Sequence, residues 1–138
     1  MNFIVLDASA VLAYALGERG ADLVHEHLFG AVMSAVNYSE VLKKTIERGG
    51  DMDATAALLA GASVEVVTFD SLHAAGAAAL FKETKDTGIS FADRCCLWLA
   101  IDLGAVLYTA DKRLADVKAP IEVVLIREPV TAGGKKRK

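Results

Sequence analysis

At 138 residues, with 54% hydrophobic and 24% charged side chains, the chain fits one domain with a substantial interior and leaves little room for a second. A formal net charge of −3, from 18 acidic against 15 basic residues, excludes binding to a polyanion by long-range attraction, so any nucleic-acid contact must be local. Met1 to Leu6 has no basic region ahead of a short apolar run, which argues against a signal peptide or membrane span; the two cysteines, Cys95 and Cys96, are adjacent and suit neither a disulfide nor a metal clamp, so a reduced, cytoplasmic protein is expected.

Phe3-Ile4-Val5-Leu6 is a continuous apolar run of the kind buried on both faces of a parallel sheet, and its abrupt end at Asp7-Ala8-Ser9 makes it the expected central strand. A helix is expected from Ser9 to Leu16, a break at Gly17 and Gly20, and a second helix through Leu28 that stops at Gly30. Ala31 to Ser34 reads as the second strand. From Asn37, the spacing of Tyr38, Val41, Leu42, Thr45 and Ile46 predicts a helix closed by Gly49-Gly50, followed by a short helix over Met52 to Leu59. Val64 to Phe69 is a third, mildly polar strand, after which Asp70 caps an alanine-rich helix to about Phe81, with a polar link from Glu83 to Gly88. Ser90 opens an apolar helix through Leu97, Trp98, Ile101 and Leu103; Gly104 ends it, and Ala105 to Tyr108 is the fourth strand. Thr109-Ala110-Asp111, a helical turn from Lys112, Pro120 and the run Ile121 to Ile126 complete the alternation. The pattern predicts a three-layer α/β/α domain over residues 1–130, with a parallel sheet of about five strands, and a basic, disordered tail over 131–138.

Asp7, Glu40, Asp93 and Asp111 each stand where a strand gives way to a helix or where a helix begins. In a parallel sheet the strand ends that carry Asp7 and Asp111 share the edge on which open α/β folds place their sites. Each acid alone has an ordinary structural explanation. Asp7 and Asp111 precede helices, while Ser90-x-x-Asp93 and Asn37-x-x-Glu40 both have capping-box spacing, and an acid at a helix N-terminus contributes roughly 0.3–1 kcal/mol. Four such acids gathered at one edge would repel one another and raise their pKa values unless a cation intervened. Hard oxygen donors favour Mg²⁺ or Mn²⁺, and the chemistry that needs them is phosphodiester hydrolysis. His25, His27 and His73 fall on predicted helices away from the acids and are not read as ligands. Arg94, Lys112, Arg113, Lys43 and Lys44 lie near the acids in sequence and are candidates to hold phosphates; their alternative is a solvated helix face, with Glu40 and Lys44 as an i,i+4 pair.

The segments Phe3-Ile-Val-Leu-Asp7-Ala-Ser9-Ala, Ser34-Ala-Val-Asn-Tyr-Ser-Glu40-Val, Gly88-Ile-Ser-Phe-Ala-Asp93-Arg94-Cys-Cys-Leu and Leu107-Tyr-Thr109-Ala-Asp111-Lys-Arg, in this order and spacing, resemble the PIN-domain ribonucleases, in particular the toxins of VapBC toxin–antitoxin pairs. The resemblance covers nearly the whole chain up to the basic tail. It implies an endoribonuclease that uses Mg²⁺ or Mn²⁺ to leave a 5′-phosphate and a 3′-hydroxyl, blocked by a cognate antitoxin, with a homodimer expected. Carried onto this sequence, it makes Asp7, Glu40, Asp93 and Asp111 the metal-binding acids. Ser9 and Thr109 become hydroxyls that order the site, and Asp116 a weaker candidate for an accessory acid.

Val11, Leu12, Leu23, Leu28, Leu58 and Leu59 exceed what a small core needs and are candidates for an antitoxin groove. Leu97, Trp98 and Ile101 have the spacing of core or dimer surface rather than of a base-stacking platform, and Phe29 and Phe91 are read the same way. Three other enzyme or cofactor readings lack their motifs. A phosphoacceptor domain needs paired early acids, a haloacid-dehalogenase-type phosphatase needs Asp-x-Asp, and a dinucleotide fold needs G-x-G-x-x-G. The remaining alternative is a non-catalytic protein-binding module whose acids serve only as helix caps.

Overall fold

Short strand-forming runs of three or four residues can satisfy their backbone groups only by pairing side by side, and all five do so in parallel. The computed structural model describes residues 3–130; the expected disordered tail over 131–138 lies outside the described residues. In chain order the elements are β1 (Ile4–Leu6), α1 (Ala8–Leu16), α2 (Ala21–Leu28), β2 (Val32–Ser34), α3 (Ala35–Glu47), α4 (Met52–Gly61) and β3 (Glu65–Val67). There follow α5 (Ser71–Ala79), α6 (Phe81–Thr84), α7 (Phe91–Leu103), β4 (Val106–Thr109), α8 (Lys112–Ala115) and β5 (Val123–Leu125). The sheet order is β3-β2-β1-β4-β5, with β1 central as its apolar run predicts.

Period-two alternation along the strands sorts the core into two layers. Leu6, Met33 and Tyr108 pack with Val11, Val24, Val41 and Leu59 on one face, while Val5, Val32 and Leu107 pack with Cys96, Leu97, Leu99 and Leu114 on the other. This is the expected three-layer α/β/α domain. Among the described residues no helix is long and apolar enough to cross a membrane.

Three expectations are corrected. α3 begins at Ala35 rather than Asn37, because the Ser34 side chain already accepts from Val36 N (3.1 Å) and caps the helix three residues earlier. The alanine-rich helix breaks at Leu80, so that α6 occupies part of the predicted polar link. Most of the apolar residues assigned to an antitoxin groove are interior instead. Val11, Leu12, Leu28 and Leu59 are buried, Leu59 at 1% exposure, whereas Leu58 is 41% exposed and stays on the surface.

Candidate active site

From β1 the chain builds outward through β2 and β3, then returns to the other side of β1 for β4 and β5. Connections leaving in opposite directions open a crevice at the carboxyl ends of β1 and β4. Leu6 pairs with Tyr108 in register and Asp7 N donates to Tyr108 O (3.2 Å), so Asp7 and Thr109 emerge side by side at that crevice.

Asp7 is 3% exposed and fully engaged. Its Oδ1 accepts from Ala10 N and from Ser9 Oγ, both at 2.8 Å, and the Thr109 hydroxyl donates to Oδ2. Ser9 Oγ in turn accepts from Ala110 N (2.8 Å), and Thr109 Oγ1 from Asp111 N (2.9 Å). The two hydroxyls predicted to order the site thus tie the end of β1 to the loop after β4. Burial pushes the Asp7 carboxyl up to about 6 even against these stabilising bonds, and the like charge of Asp93 adds to the rise.

Asp93 enters from the first turn of α7 in a complete capping box, in which Ser90 N donates to Asp93 Oδ2 (2.9 Å) and Asp93 N to Ser90 Oγ (3.1 Å). Glu40 enters from α3. Partial desolvation raises its pKa, opposed by a long hydrogen bond from Asn37 and by Lys44 and Lys43. Asp111 caps α8 by accepting from Arg113 N (2.9 Å). These four acids, with Asn37 and Lys44, line one cleft of about 170 Å³ whose apolar wall is Ala8 and Leu12. Asp7, Asp93 and Asp111 are helix caps and cleft-lining carboxylates at once, so the two readings of the sequence describe one geometry. Glu40 is the exception, since its predicted capping box does not form.

The basic candidates divide. Lys44 lines the cleft. Arg113 chelates Asp111 through Nη2 (3.2 Å) and Nε (3.4 Å) at its rim. Lys43 pairs with Glu47 and Lys112 with Asp116, each at 2.7 Å, which leaves Asp116 outside the cleft lining. Arg94 turns away. Its Nε donates to Ala77 O (3.2 Å) and its guanidinium lies 5.3 and 5.9 Å from the ring centres of Phe81 and Phe91. The histidines lie tilted against aromatic rings, His25 against Tyr14, His27 against Tyr108 and His73 against Trp98, and none lines the cleft. Cys95 and Cys96 are buried thiols, the former pushed up to about 11 by desolvation, and so are poor nucleophiles.

Asn37, read in the sequence only as a helix cap, lines the cleft instead. It is 1% exposed, and its Nδ2 donates to Ala92 O (3.2 Å) and toward Glu40 Oε1 (3.4 Å), which links α3 to the start of α7. Its Oδ1 is buried with no hydrogen-bond partner among the described residues. An asparagine on the inward face of a helix, three residues past a serine able to cap it, was the available signal.

Among the described residues no three His, Cys, Asp or Glu side chains stand close enough to cage an ion by themselves. The donor set nevertheless fits a hard divalent cation. It is all oxygen, two of its carboxylates carry raised pKa values that a cation would offset, and Mg²⁺ retains part of its water shell in open carboxylate sites rather than needing an all-protein cage.

Fold and site together define a doubly wound parallel α/β protein with an acidic cleft at its switch point. The chain belongs to the PIN domain family, whose profile matches residues 4–120, and this membership supports nuclease activity. No curated protein matches the sequence. The fold is shared with a toxin–antitoxin complex from Klebsiella pneumoniae (20% identity, TM-score 0.74, covering 91% of this chain and 99% of that one). It is shared also with DNA-bound VapBC from Salmonella typhimurium (16%, 0.66, 89% and 97%) and FitAcB from Neisseria gonorrhoeae (22%, 0.63, 88% and 96%).

Proposed function

We propose that the protein is a Mg²⁺- or Mn²⁺-dependent endoribonuclease and the toxin of a type II toxin–antitoxin pair. The observation that carries this reading is the arrival of Asp7, Glu40, Asp93 and Asp111 from four separate segments in one cleft at the switch point. Asp7 and Asp93 are assigned to the principal ion, and Glu40 and Asp111 to the rest of its shell or to a second ion. When bound, such a cation supplies Lewis-acid polarisation of a phosphodiester and acidification of the attacking water. Ser9 and Thr109 hold the Asp7 carboxylate in one orientation, and Asn37 biases Glu40. Lys44 offers a positive charge to a phosphate entering the cleft. In-line attack by water leaves a 5′-phosphate and a 3′-hydroxyl.

The antitoxin assignment is supported by the toxin–antitoxin complexes among the structural relatives. A homodimer belongs to the same reading, and half-exposed Phe81 and Phe91 with Leu72 (64% exposed) are surface candidates for it. A cytoplasmic location suits the free thiols and an RNA substrate.

The test is cleavage of a mixed RNA panel by partner-free protein in Mg²⁺ or Mn²⁺, with EDTA and Asp93→Asn controls. Asparagine keeps a capping oxygen and is a weaker ligand for a hard ion, so the variant folds and loses metal-dependent cleavage by at least about a hundredfold. Cleavage unaffected by EDTA and by Asp93→Asn would sink the carboxylate mechanism. Absence of both cleavage and metal binding would favour the binding-module alternative, in which the acids are caps alone.

A further inference from the structure

Of the four cleft acids, Asp111 alone is paired with a cation among the described residues. Its Oδ1 accepts from Arg113 N (2.9 Å) and Nε (3.4 Å), and its Oδ2 from Arg113 Nη2 (3.2 Å). The guanidinium has no other hydrogen-bond partner among the described residues, and the side chain is 64% exposed, so it has both room and freedom to leave. Its stem runs past Gly88, two residues before the Ser90 cap. A Cβ built at Gly88 would lie 3.5 Å from Arg113 Cδ. Arg113 therefore sits between the two chain segments that deliver Asp111 and Asp93 to the cleft. An exposed pair of this kind is held weakly, and the planar guanidinium fork fits a phosphate as well as it fits a carboxylate.

Resting on the metal-dependent nuclease reading above, we infer that Arg113 is an exchangeable counter-ion. It occupies Asp111 in the resting cleft, is displaced when a divalent cation binds there, and then takes a phosphate of the RNA strand at the rim. No covalent bond is made or broken in this exchange; one carboxylate exchanges its hydrogen-bonded guanidinium for the ion, and the released guanidinium gains an anionic partner. Two consequences follow from linkage. Arg113 competes with the ion when RNA is absent, and because the ion frees Arg113 for RNA, ion and RNA strengthen each other's binding.

Calorimetric titration of the whole chain with Ca²⁺, a hard oxygen-seeking ion, in the absence and presence of a single-stranded RNA oligonucleotide tests this for wild type, Arg113→Ala and Arg113→Lys. RNA-free Arg113→Ala should bind Ca²⁺ about two- to fivefold more tightly than wild type, in line with loss of a weak exposed competitor. RNA should tighten Ca²⁺ binding markedly less in that variant than in wild type. Lysine keeps the charge without the two-point fork and should fall between. In wild type, Ca²⁺ alone should shift the Arg113 Nε–H resonance. Equal Ca²⁺ affinity and equal coupling to RNA in wild type and Arg113→Ala, with all proteins folded by circular dichroism, would overturn the exchange. Arg113→Lys indistinguishable from wild type would also overturn it, reducing Arg113 to net charge. A wild-type protein that binds no Ca²⁺, Mg²⁺ or Mn²⁺ would instead overturn the nuclease reading and take this inference with it.

Discussion

The floor and the rim of the cleft are built on opposite principles. At the floor, Asp7, Ser9 and Thr109 are joined by short hydrogen bonds across two neighbouring strands, and both Asp7 and Thr109 are shut away from solvent. At the rim, Glu40 accepts one long bond from Asn37 among the described residues, and Asp111 is paired with a largely exposed arginine. Burial makes each floor contact costly to remove, whereas solvent makes each rim contact cheap to exchange. A site assembled this way keeps one carboxylate preorganised and lets the others adapt to what binds.

Breaking the floor should have the largest effect on stability. Thr109→Val removes the donor to Asp7 and the acceptor for Asp111 N, leaving two polar groups unsatisfied. We expect a loss of about 2–4 kcal/mol in urea unfolding. A loss below 0.5 kcal/mol would mean that the hydroxyl network is not a structural tie.

The floor also carries a pH signature. The Asp7 carboxyl stands at about 6 in the folded protein against an ordinary aspartate value of 3.8, so the folded state holds this proton more tightly than the unfolded state. Its contribution is therefore fully present below pH 3.8 and is lost as pH rises through about 6, a change on the order of 2–3 kcal/mol in metal-free protein. Thermal melts between pH 4.5 and 7.5 should show that component in wild type and lack it in Asp7→Asn. Saturating Mn²⁺ should offset it at pH 7. Identical pH profiles for the two proteins would show that Asp7 is not desolvated as described.

Between floor and rim stands Asn37. Asn37→Ala should cost about 1–2 kcal/mol through the lost bond to Ala92 O, and should reduce cleavage beyond that stability effect because Glu40 loses its one hydrogen bond among the described residues. Normal cleavage by the folded variant would limit Asn37 to holding α3 against α7. Lys112→Ala, confined to the exposed pair with Asp116, should leave the melting temperature unchanged within error. A clear drop would show that this exposed pair stabilises α8 more than its solvent exposure implies.

Local chemistry was the part of this protein most easily read from residues in order. The Ser90–Asp93 capping box and the Gly104 stop bracket α7 within one or two residues of the expected limits, since both depend on neighbours along the chain. The start of α3 was misplaced because two plausible caps, Ser34 and Asn37, lie three residues apart. Only packing against α7 turns Asn37 inward to meet Ala92 O. Arg94 shows a related limit. It follows Asp93 in sequence, but adjacent residues on a helix point about 100° apart, and that turn carries its guanidinium to Ala77 and Phe81 instead of to a phosphate. The supposed groove leucines could not be told from core leucines, because a helical stripe is apolar whether it meets a sheet or a partner.

The sequence by itself determined the alternation of strands and helices, the central place of β1 and the positions of the four acids at element ends. These follow from hydrophobic period and capping, which act over a few residues. Only the tertiary structure decided that those acids share a cleft, that Asn37 and Lys44 line it with them, and that Arg113 rather than Arg94 guards its rim. The reversal of strand order between β1 and β4, and the side on which each helix packs, join residues about a hundred positions apart, and no local pattern encodes that distance.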